Sequence, residues 1–239
     1  MRFRGKRVFV TGAASGIGAT TFELFRREGA QVVGVDLTAA DGLVHCDVTD
    51  PESVTHAMTE TVDRLGGLDV CVNVAGTNAL MPFADMPLDQ WQNILAVNVT
   101  GPMLVTQAAL PHLKQSRGNV VSVASVSGLQ AQPYFSAYGT SKAGLLMLMK
   151  SIAVELAADH VRVNCVCPGG VGKLPTREDA GERLDIPDGI DMSLLGRMRG
   201  VLPGVTEQDD IAQAIAYLAS DSARSVTGAA LVVDRATVW

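Results

Sequence analysis

Seven short apolar runs separated by helical patterns restrict the fold of this chain more than any other feature of its sequence. The runs lie at about residues 7–10, 31–36, 43–46, 68–73, 119–123, 161–167 and 229–234. They are apolar almost continuously, which is typical of strands that are buried on both faces. Strands that alternate with helices form a parallel sheet with helices on both sides. The sequence therefore predicts an α/β fold with a doubly wound, three-layer α/β/α architecture around a seven-stranded parallel sheet.

Local signals predict where several helices begin. Asp50 followed by Pro51 is the pattern of an N-cap with proline in the first turn. Pro111 lies inside another helical pattern, where a proline can introduce a kink. Thr206 and Asp209 resemble a capping box, with Asp in place of the usual Glu or Gln, and predict a helix from that point.

Composition narrows the class of protein. The 239 residues are 47% hydrophobic, which suits one compact α/β domain over residues 1–239. A net charge of −6 argues against a general nucleic-acid surface, and no apolar run approaches the roughly 20 residues of a membrane span. The N-terminus lacks the apolar segment of a signal peptide. Four cysteines lie in apolar runs without metal-ligand spacing: Cys46, Cys71, Cys165 and Cys167. A cytoplasmic protein that binds no metal, membrane or nucleic acid is expected.

A glycine cluster joins the first strand to the first helix. Gly12, Gly16 and Gly18 let the backbone turn tightly and approach a pyrophosphate at the helix N-terminus. The spacing differs from the common G-x-G-x-x-G, and tight-turn glycines without a ligand are the alternative interpretation. Asp36 ends the second strand, where a carboxylate can accept both hydroxyls of an adenine ribose and repel a 2′-phosphate. NAD is therefore favoured over NADP, although Asp36 could simply end a strand.

Tyr138 and Lys142 lie four residues apart at the start of a predicted helix. Positions i and i+4 share one helical face, so the phenol and the ammonium lie side by side. A nearby cation and a positive helix N-terminus favour the phenolate, which lowers a pKa that is normally ~10. Such a tyrosine could exchange a proton with a substrate oxygen near neutral pH. A chance pair at helical spacing is the alternative.

Six groups of residues occur in the order and spacing of the short-chain dehydrogenase/reductase family. They are Thr11 to Gly18, Asn73-Val-Ala-Gly76, Asn98, Ser125, Tyr138-x-x-x-Lys142 and Pro168-Gly169. The chain resembles the single-domain branch of this family over essentially its whole length. The resemblance implies a Rossmann-like fold and an oxidoreductase that transfers a hydride between the nicotinamide of NAD and a secondary alcohol or ketone.

The resemblance also implies roles for individual residues. Tyr138 would be the general acid/base, and Lys142 would hold the nicotinamide ribose and lower the pKa of the tyrosine. Ser125 would bind the substrate oxygen, and Asn98 would position a water that connects Lys142 to solvent. The cofactor would be bound by Gly12, Ser15, Gly16, Ile17, Gly18, Asp36, Leu37, Asp47, Val48, Asn73, Ala75, Gly76, Tyr138, Lys142, Pro168, Gly169 and Val171.

Three positions depart from the family pattern. Val74 replaces a second Asn, Lys173 stands where a Thr is usual, and Arg235-Ala236 replaces a Gly-Gly pair. Lys173 either points to solvent, contacts the cofactor or attracts an anionic group of the substrate. Residues 173–205 are long and rich in Gly, Pro and charge, which predicts a substrate-binding lid.

The substrate and the assembly are less well defined by the sequence. By family position the substrate pocket would be lined by Leu80, Met81, Phe83, Gln130, Gln132 and Phe135. This set suits a medium-sized hydrophobic carbonyl compound or secondary alcohol. The helical patterns at residues 103–113 and 143–156 are apolar around most of their circumference, which indicates burial on more than one side. A homotetramer is expected, with a dimer as the second choice.

Two other functions remain open at this point. A catalytically silent NAD-binding regulator or scaffold could keep the same fold. An epimerase or dehydratase of the family's longer branch shares the Tyr-x-x-x-Lys pair, but the chain is short for that branch's substrate domain.

Overall fold

A computed structural model describes residues 1–38, 42–172, 189–195 and 200–237 of the chain. Its strands are β1 (Arg7–Thr11), β2 (Gln31–Asp36), β3 (Val44–His45), β4 (Val70–Asn73), β5 (Asn119–Val123), β6 (Arg162–Pro168) and β7 (Ala230–Val233). All neighbouring strands are parallel, and their order is β3-β2-β1-β4-β5-β6-β7. The predicted doubly wound α/β/α fold with a seven-stranded parallel sheet is confirmed.

Helices cover both faces of this sheet. The α-helices of the described residues are α1 (Gly16–Arg27), α2 (Pro51–Leu65), α3 (Leu88–Leu95), α4 (Gly101–Ser116), α5 (Ser136–Glu155), α6 (Met192–Leu195) and α7 (Gln208–Ala219). One hydrophobic core lies between the sheet and α2, α4 and α5, and a second lies between the sheet and α1 and α7.

The strands supply both cores because alternate side chains point to opposite faces of a sheet. In β1, Phe9 belongs to the first core, whereas Val8 and Val10 belong to the second. In β4, Cys71 and Val70 divide in the same way. Burial on both faces explains why these strands are continuously apolar in the sequence.

The order of the strands places a crevice beside the glycine turn. The chain runs outward from β1 through β2 to β3, then returns to place β4 on the other side of β1. Parallel strands have their carboxyl ends at one edge, and ligands bind there where the strand order reverses. The ends of β1 and β4 meet at this point.

Three local predictions needed correction or adjustment. The capping box of α7 is centred one residue later than predicted, since the carboxylate of Asp210 accepts a hydrogen bond from the backbone N–H of Glu207 at 2.8 Å. β3 has only two residues. Helix α4 continues through Pro111 without interruption. Asp50 caps α2 as predicted, because its carboxylate accepts from the backbone N–H of Glu52 at 3.0 Å.

One long helical segment is more apolar than the sequence runs suggested. A π-helical turn at Ala96–Thr100 joins α3 to α4, giving a continuous helix from Leu88 to Ser116. By length and composition alone this segment could cross a membrane. Core helices also meet that criterion, and α4 contributes Val105 and Leu113 to the first core.

Candidate active site at the carboxyl edge of the sheet

The glycine turn brings the end of β1 close to the loop after β4. Gly12 has a φ of 69°, and a Cβ on it would lie 2.9 Å from the backbone of Ala75. A Cβ on Gly18 would overlap the carbonyl oxygen of Gly12. The turn is therefore so compact that both positions require glycine.

The N-terminus of α1 lies at the glycine turn and has no side-chain cap. Ser15 is the N-cap, and its side chain makes no capping hydrogen bond. The first turn of α1 contains no acidic residue. Free backbone N–H groups and the positive end of a helix dipole bind anions. This end of α1 is suited to a pyrophosphate.

Asp36 closes the same crevice at the end of β2. One carboxylate oxygen accepts from the backbone N–H of Ala14 and the other accepts from the backbone N–H of Thr38, both at 3.0 Å. These bonds hold the carboxylate beside the glycine turn. It can still accept hydrogen bonds from a ribose, because each oxygen has a second lone pair.

A cavity of about 720 Å³ connects this turn to the tyrosine helix. Seventeen of the nineteen predicted site residues line it: Gly12, Ser15, Gly16, Ile17, Gly18, Asp36, Leu37, Asp47, Val48, Ala75, Gly76, Ser125, Tyr138, Lys142, Pro168, Gly169 and Val171. The structure thus brings residues from seven separate stretches of sequence around one space.

Asn73 does not line the cavity. It is buried at the end of β4, where its amide donates to the hydroxyls of Ser122 at 3.1 Å and Thr106 at 3.3 Å. Asn73 therefore ties β4 to β5 and α4, and any effect on a cofactor would be indirect.

Asn98 also lies behind the cavity wall. Its side-chain amide donates to the carbonyl oxygen of Thr77 at 2.8 Å and to the hydroxyl of Ser141 at 2.9 Å. Its side-chain oxygen accepts from the backbone N–H of Thr77 at 2.9 Å. Both amide hydrogens are used, so only the side-chain oxygen retains a lone pair for a water. The π-helical turn around Asn98 fastens the loop after β4 to α5.

Tyr138 and Lys142 lie on one face of α5, and Ser125 follows the end of β5. The ammonium nitrogen of Lys142 is 5.6 Å from the centre of the Tyr138 ring and donates to the carbonyl oxygen of Val123 at 2.8 Å. Ser125 lines the same cavity as Tyr138 and Lys142. The hydroxyl donor, the phenol and the ammonium therefore converge at one end of the cavity.

Burial shifts both titratable groups towards their neutral forms. Burial raises the pKa of Tyr138, and the hydrogen bond from Ser125 opposes this only in part. Burial lowers the pKa of Lys142 to about 8. The predicted lowering of the tyrosine pKa is wrong, because desolvation of the phenolate outweighs the hydrogen bond from Ser125.

A short chain of polar side chains runs from Ser125 through Ser127 to Gln132. Ser125 and Ser127 are 3.2 Å apart between their hydroxyl oxygens, and the hydroxyl of Ser127 donates to the side-chain oxygen of Gln132. The backbone N–H of Ser127 also donates to the hydroxyl of Ser125, at 3.1 Å. These contacts fix the position of Ser125 beside the tyrosine.

The predicted substrate side is formed by two loops in contact. The backbone N–H of Met81 donates to the carbonyl oxygen of Tyr134 at 3.1 Å. Phe135 packs edge to face on Tyr138, with 6.0 Å between ring centres. The backbone N–H of Asp191 donates to the Tyr134 hydroxyl at 2.9 Å, so part of the predicted lid rests on this loop. Residues 173–188 and 196–199 of that lid, Lys173 among them, lie outside the described residues.

The sequence did not indicate every residue of the cavity. The additional lining residues are Cys46, Val74, Thr77, Asn78, Asn93, Val97, Val123 and Ala124. Several adjoin predicted residues at strand ends, and the rule that ligands bind there could have found them. Asn93 and Val97 come from α3 and the π-helical turn, which carry no recognisable motif.

A doubly wound sheet with a compact glycine turn, an acid at the end of β2 and a Ser-Tyr-Lys group is typical of dinucleotide-dependent oxidoreductases. A family model described as "Enoyl-(Acyl carrier protein) reductase" matches residues 12–235. A 3-oxoacyl-(acyl-carrier-protein) reductase of Thermotoga maritima is 35% identical, over 98% of each chain. The meso-2,3-butanediol dehydrogenase of Serratia marcescens is 34% identical, over 98% of this chain and 95% of the relative.

Solved structures agree with these relatives. A short-chain dehydrogenase from Mycobacterium paratuberculosis bound to NAD has a TM-score of 0.87 at 26% identity, over 99% of each chain. Carveol dehydrogenase from Mycobacterium avium in complex with NAD has a TM-score of 0.86 at 28% identity, over 99% of this chain and 98% of that one. The chain belongs to the short-chain dehydrogenase/reductase family.

Proposed function

We propose that this protein is an NAD-dependent oxidoreductase that interconverts a secondary alcohol and a ketone. The observation that carries the proposal is the position of Ser125, Tyr138 and Lys142 in the same cavity as the glycine turn and Asp36. A bound nicotinamide supplies or accepts the hydride. The residues of the chain have to hold the cofactor, orient the substrate oxygen and move its proton.

The glycine turn fits the phosphates of a dinucleotide, since glycines clear the space and the N-terminus of α1 has no side-chain cap. The carboxylate of Asp36 would bind the adenine ribose and disfavour a 2′-phosphate, so we propose a preference for NAD over NADP. Pro168, Gly169 and Val171 would form the wall at the nicotinamide end.

Ser125 and Tyr138 act on the substrate oxygen in this proposal. The Ser125 hydroxyl donates a hydrogen bond to that oxygen, and Tyr138 gives or takes its proton at the phenol. Lys142 is mostly protonated at neutral pH because its pKa is about 8, so its charge favours the phenolate. Burial of Tyr138 favours the protonated phenol, so the charge of Lys142 has to offset the desolvation of the phenolate when the proton is transferred.

The substrate is proposed to be a medium-sized hydrophobic alcohol or ketone. Relatives are named for 3-oxoacyl, butanediol, hydroxysteroid and carveol chemistry, so the family tolerates varied substrates. The predicted pocket residues are mainly apolar. The hypothesis that Lys173 binds a substrate carboxylate predicts that Lys173→Ala raises KM for acidic substrates only. An equal rise in KM for neutral substrates would contradict it.

We also propose that the chain is a single domain, forms a homotetramer or, as second choice, a dimer, and acts in the cytoplasm. Met147 and Val154 on α5 are 64% and 78% exposed, which leaves an apolar surface available to a partner subunit. All four cysteines are buried and free, as suits a reducing compartment. Light scattering tests the oligomeric state, and cell fractionation tests the location.

One screen separates the proposed enzyme from a silent NAD-binding regulator. NADH absorbance is followed with a panel of secondary alcohols and ketones, in parallel with NADPH. Turnover with free NAD exchange supports the oxidoreductase. Stoichiometric bound NAD that no substrate reduces or exchanges would support the regulator, which the filled Ser-Tyr-Lys group and the catalytic relatives do not favour.

A further inference from the structure

Two successive residues after β7 have a backbone conformation that favours glycine. Arg235 has a φ of 56° and Ala236 has a φ of 60°. A Cβ makes this left-handed region unfavourable, and such residues persist where surrounding contacts hold them. The resemblance described above implies a Gly-Gly pair at these two positions, where this chain has Arg235 and Ala236.

Arg235 binds a segment that leads back to the cavity, residues 200–206, which we name the strap. Its guanidinium donates to the carbonyl oxygen of Leu202 at 3.1 Å and to that of Val205 at 3.3 Å. Its own carbonyl oxygen accepts from the backbone N–H of Leu202 at 3.0 Å. Both the side chain and the backbone of Arg235 are therefore hydrogen-bonded to the strap.

Two glycines of the strap fit closely around Arg235. Gly204 has a φ of 104°, and a Cβ there would lie 2.7 Å from a guanidinium nitrogen. A Cβ on Gly200 would lie 2.8 Å from the carbonyl oxygen of Arg235. Larger residues at either position would push the strap away from the arginine.

The strap ends directly behind the cavity wall. Thr206 pairs with Val171 in a parallel bridge, and its carbonyl oxygen accepts from the backbone N–H of Gly172 at 2.9 Å. Gly169 packs on the turn before Arg235, since a Cβ on it would lie 2.8 Å from the Cβ of Asp234. Val171 and Gly169 both line the cavity.

We propose that Arg235 is a positioning residue that clamps the strap to the end of β7 and so holds the Gly169–Val171 wall in place. Arg235 does not line the cavity itself, and it acts through Thr206 and Val171. The effect on the cofactor rests on the proposed function, because that wall is assigned to the nicotinamide end. The clamp itself does not depend on that assignment.

Two glycine substitutions separate the clamp from backbone strain. Arg235→Gly and Ala236→Gly both relieve a left-handed residue, but only the first removes the guanidinium bonds to the strap. Hydrogen exchange measured by mass spectrometry on the protein without cofactor is the readout. We expect exchange over residues 200–206 to become about tenfold faster in Arg235→Gly and to stay unchanged in Ala236→Gly. Equal exchange in the two variants would overturn the clamp.

The affinity for NAD tests whether the Arg235 clamp holds the Gly169–Val171 wall in place. Arg235→Gly should raise the dissociation constant for NAD about fivefold and leave kcat at saturating NAD within about twofold. Arg235→Lys, which keeps a donor for the strap, should recover part of the affinity. Unchanged affinity in Arg235→Gly despite faster exchange would overturn the positioning role. If the wild-type protein bound no NAD, the proposed function would fail, whereas hydrogen exchange would still decide the clamp.

Discussion

At the scale of single residues, Tyr138 and Lys142 show which properties of a site a sequence pattern can predict and which it cannot. Their spacing predicts a shared helical face, and the structure places them there. The pattern says nothing about desolvation, which depends on the sheet and helices packed around them. That is why the direction of the tyrosine pKa shift was not predictable from the pair alone.

The same limit applies to the two asparagines. Asn73 and Asn98 belong to recognisable motifs, but the structure shows both side chains bonded to the protein behind the cavity. A motif indicates that a residue matters for the site. It does not distinguish a residue that binds the ligand from one that holds the binding loops together.

Because the ammonium of Lys142 is buried, we expect the free energy of unfolding to depend on pH. Its pKa is about 8 in the folded chain and 10.5 when unperturbed, so the unfolded state binds more protons between these values. Stability therefore rises with pH across this window, whereas below about pH 8 the full cost of burying the charge remains.

Lys142→Met removes this cost. At pH 7 the variant should be more stable than the wild type by roughly 1–3 kcal/mol, and the difference should shrink as the pH approaches 10. Urea unfolding of both proteins at several pH values measures it. A difference that is constant from pH 7 to 10 would contradict the assigned shift.

At the scale of elements, the sequence predicts strands and helices well where their signals are local. The cap of α2 is explicit in Asp50 and Pro51, and the apolar runs mark strands that are buried on both faces. The π-helical turn at Ala96–Thr100 has no local signal. It is held by contacts of Asn98 with a distant loop and with α5, so it emerges only in the folded chain.

Mutations at the start of α7 test which of two neighbouring acids, Asp209 or Asp210, caps the helix. Asp210 accepts from the backbone N–H of Glu207, whereas Asp209 contacts Arg27 and Gln213 at the exposed surface. Asp210→Ala should cost about 1 kcal/mol, or about 2–4 °C in Tm, and Asp209→Ala less than half of that. Thermal unfolding of the two variants is the measurement. A larger loss in Asp209→Ala would support the capping box predicted from Thr206.

At the scale of the whole molecule, seven stretches of sequence meet at one edge of the sheet because the strands are parallel and their order reverses beside β1. This topology was predictable because the strand and helix signals alternate. The specificity of the substrate end was not, since it depends on loops whose shapes have no periodic pattern.

The proposed assembly can be tested by substituting a charged residue on the exposed apolar face of α5. Val154→Arg on α5 should shift a tetramer or dimer towards smaller species, because a buried unpaired charge at an apolar interface is unfavourable. Leu88→Arg is the matched control, since Leu88 is 69% exposed compared with 78% for Val154 and lies on α3. Light scattering measures both. A monomeric wild-type protein, or equal dissociation in the two variants, would contradict an α5 interface.

The central claim is that Tyr138 transfers the proton in a reaction that uses NAD. Tyr138→Phe removes only the phenol oxygen and keeps the ring that packs on Phe135. NADH formation with a substrate of the wild-type protein should fall by about 10²- to 10⁴-fold, while NAD binding measured by calorimetry stays within about twofold. Retention of more than a tenth of the wild-type rate in Tyr138→Phe would contradict the assignment of Tyr138 as the general acid/base.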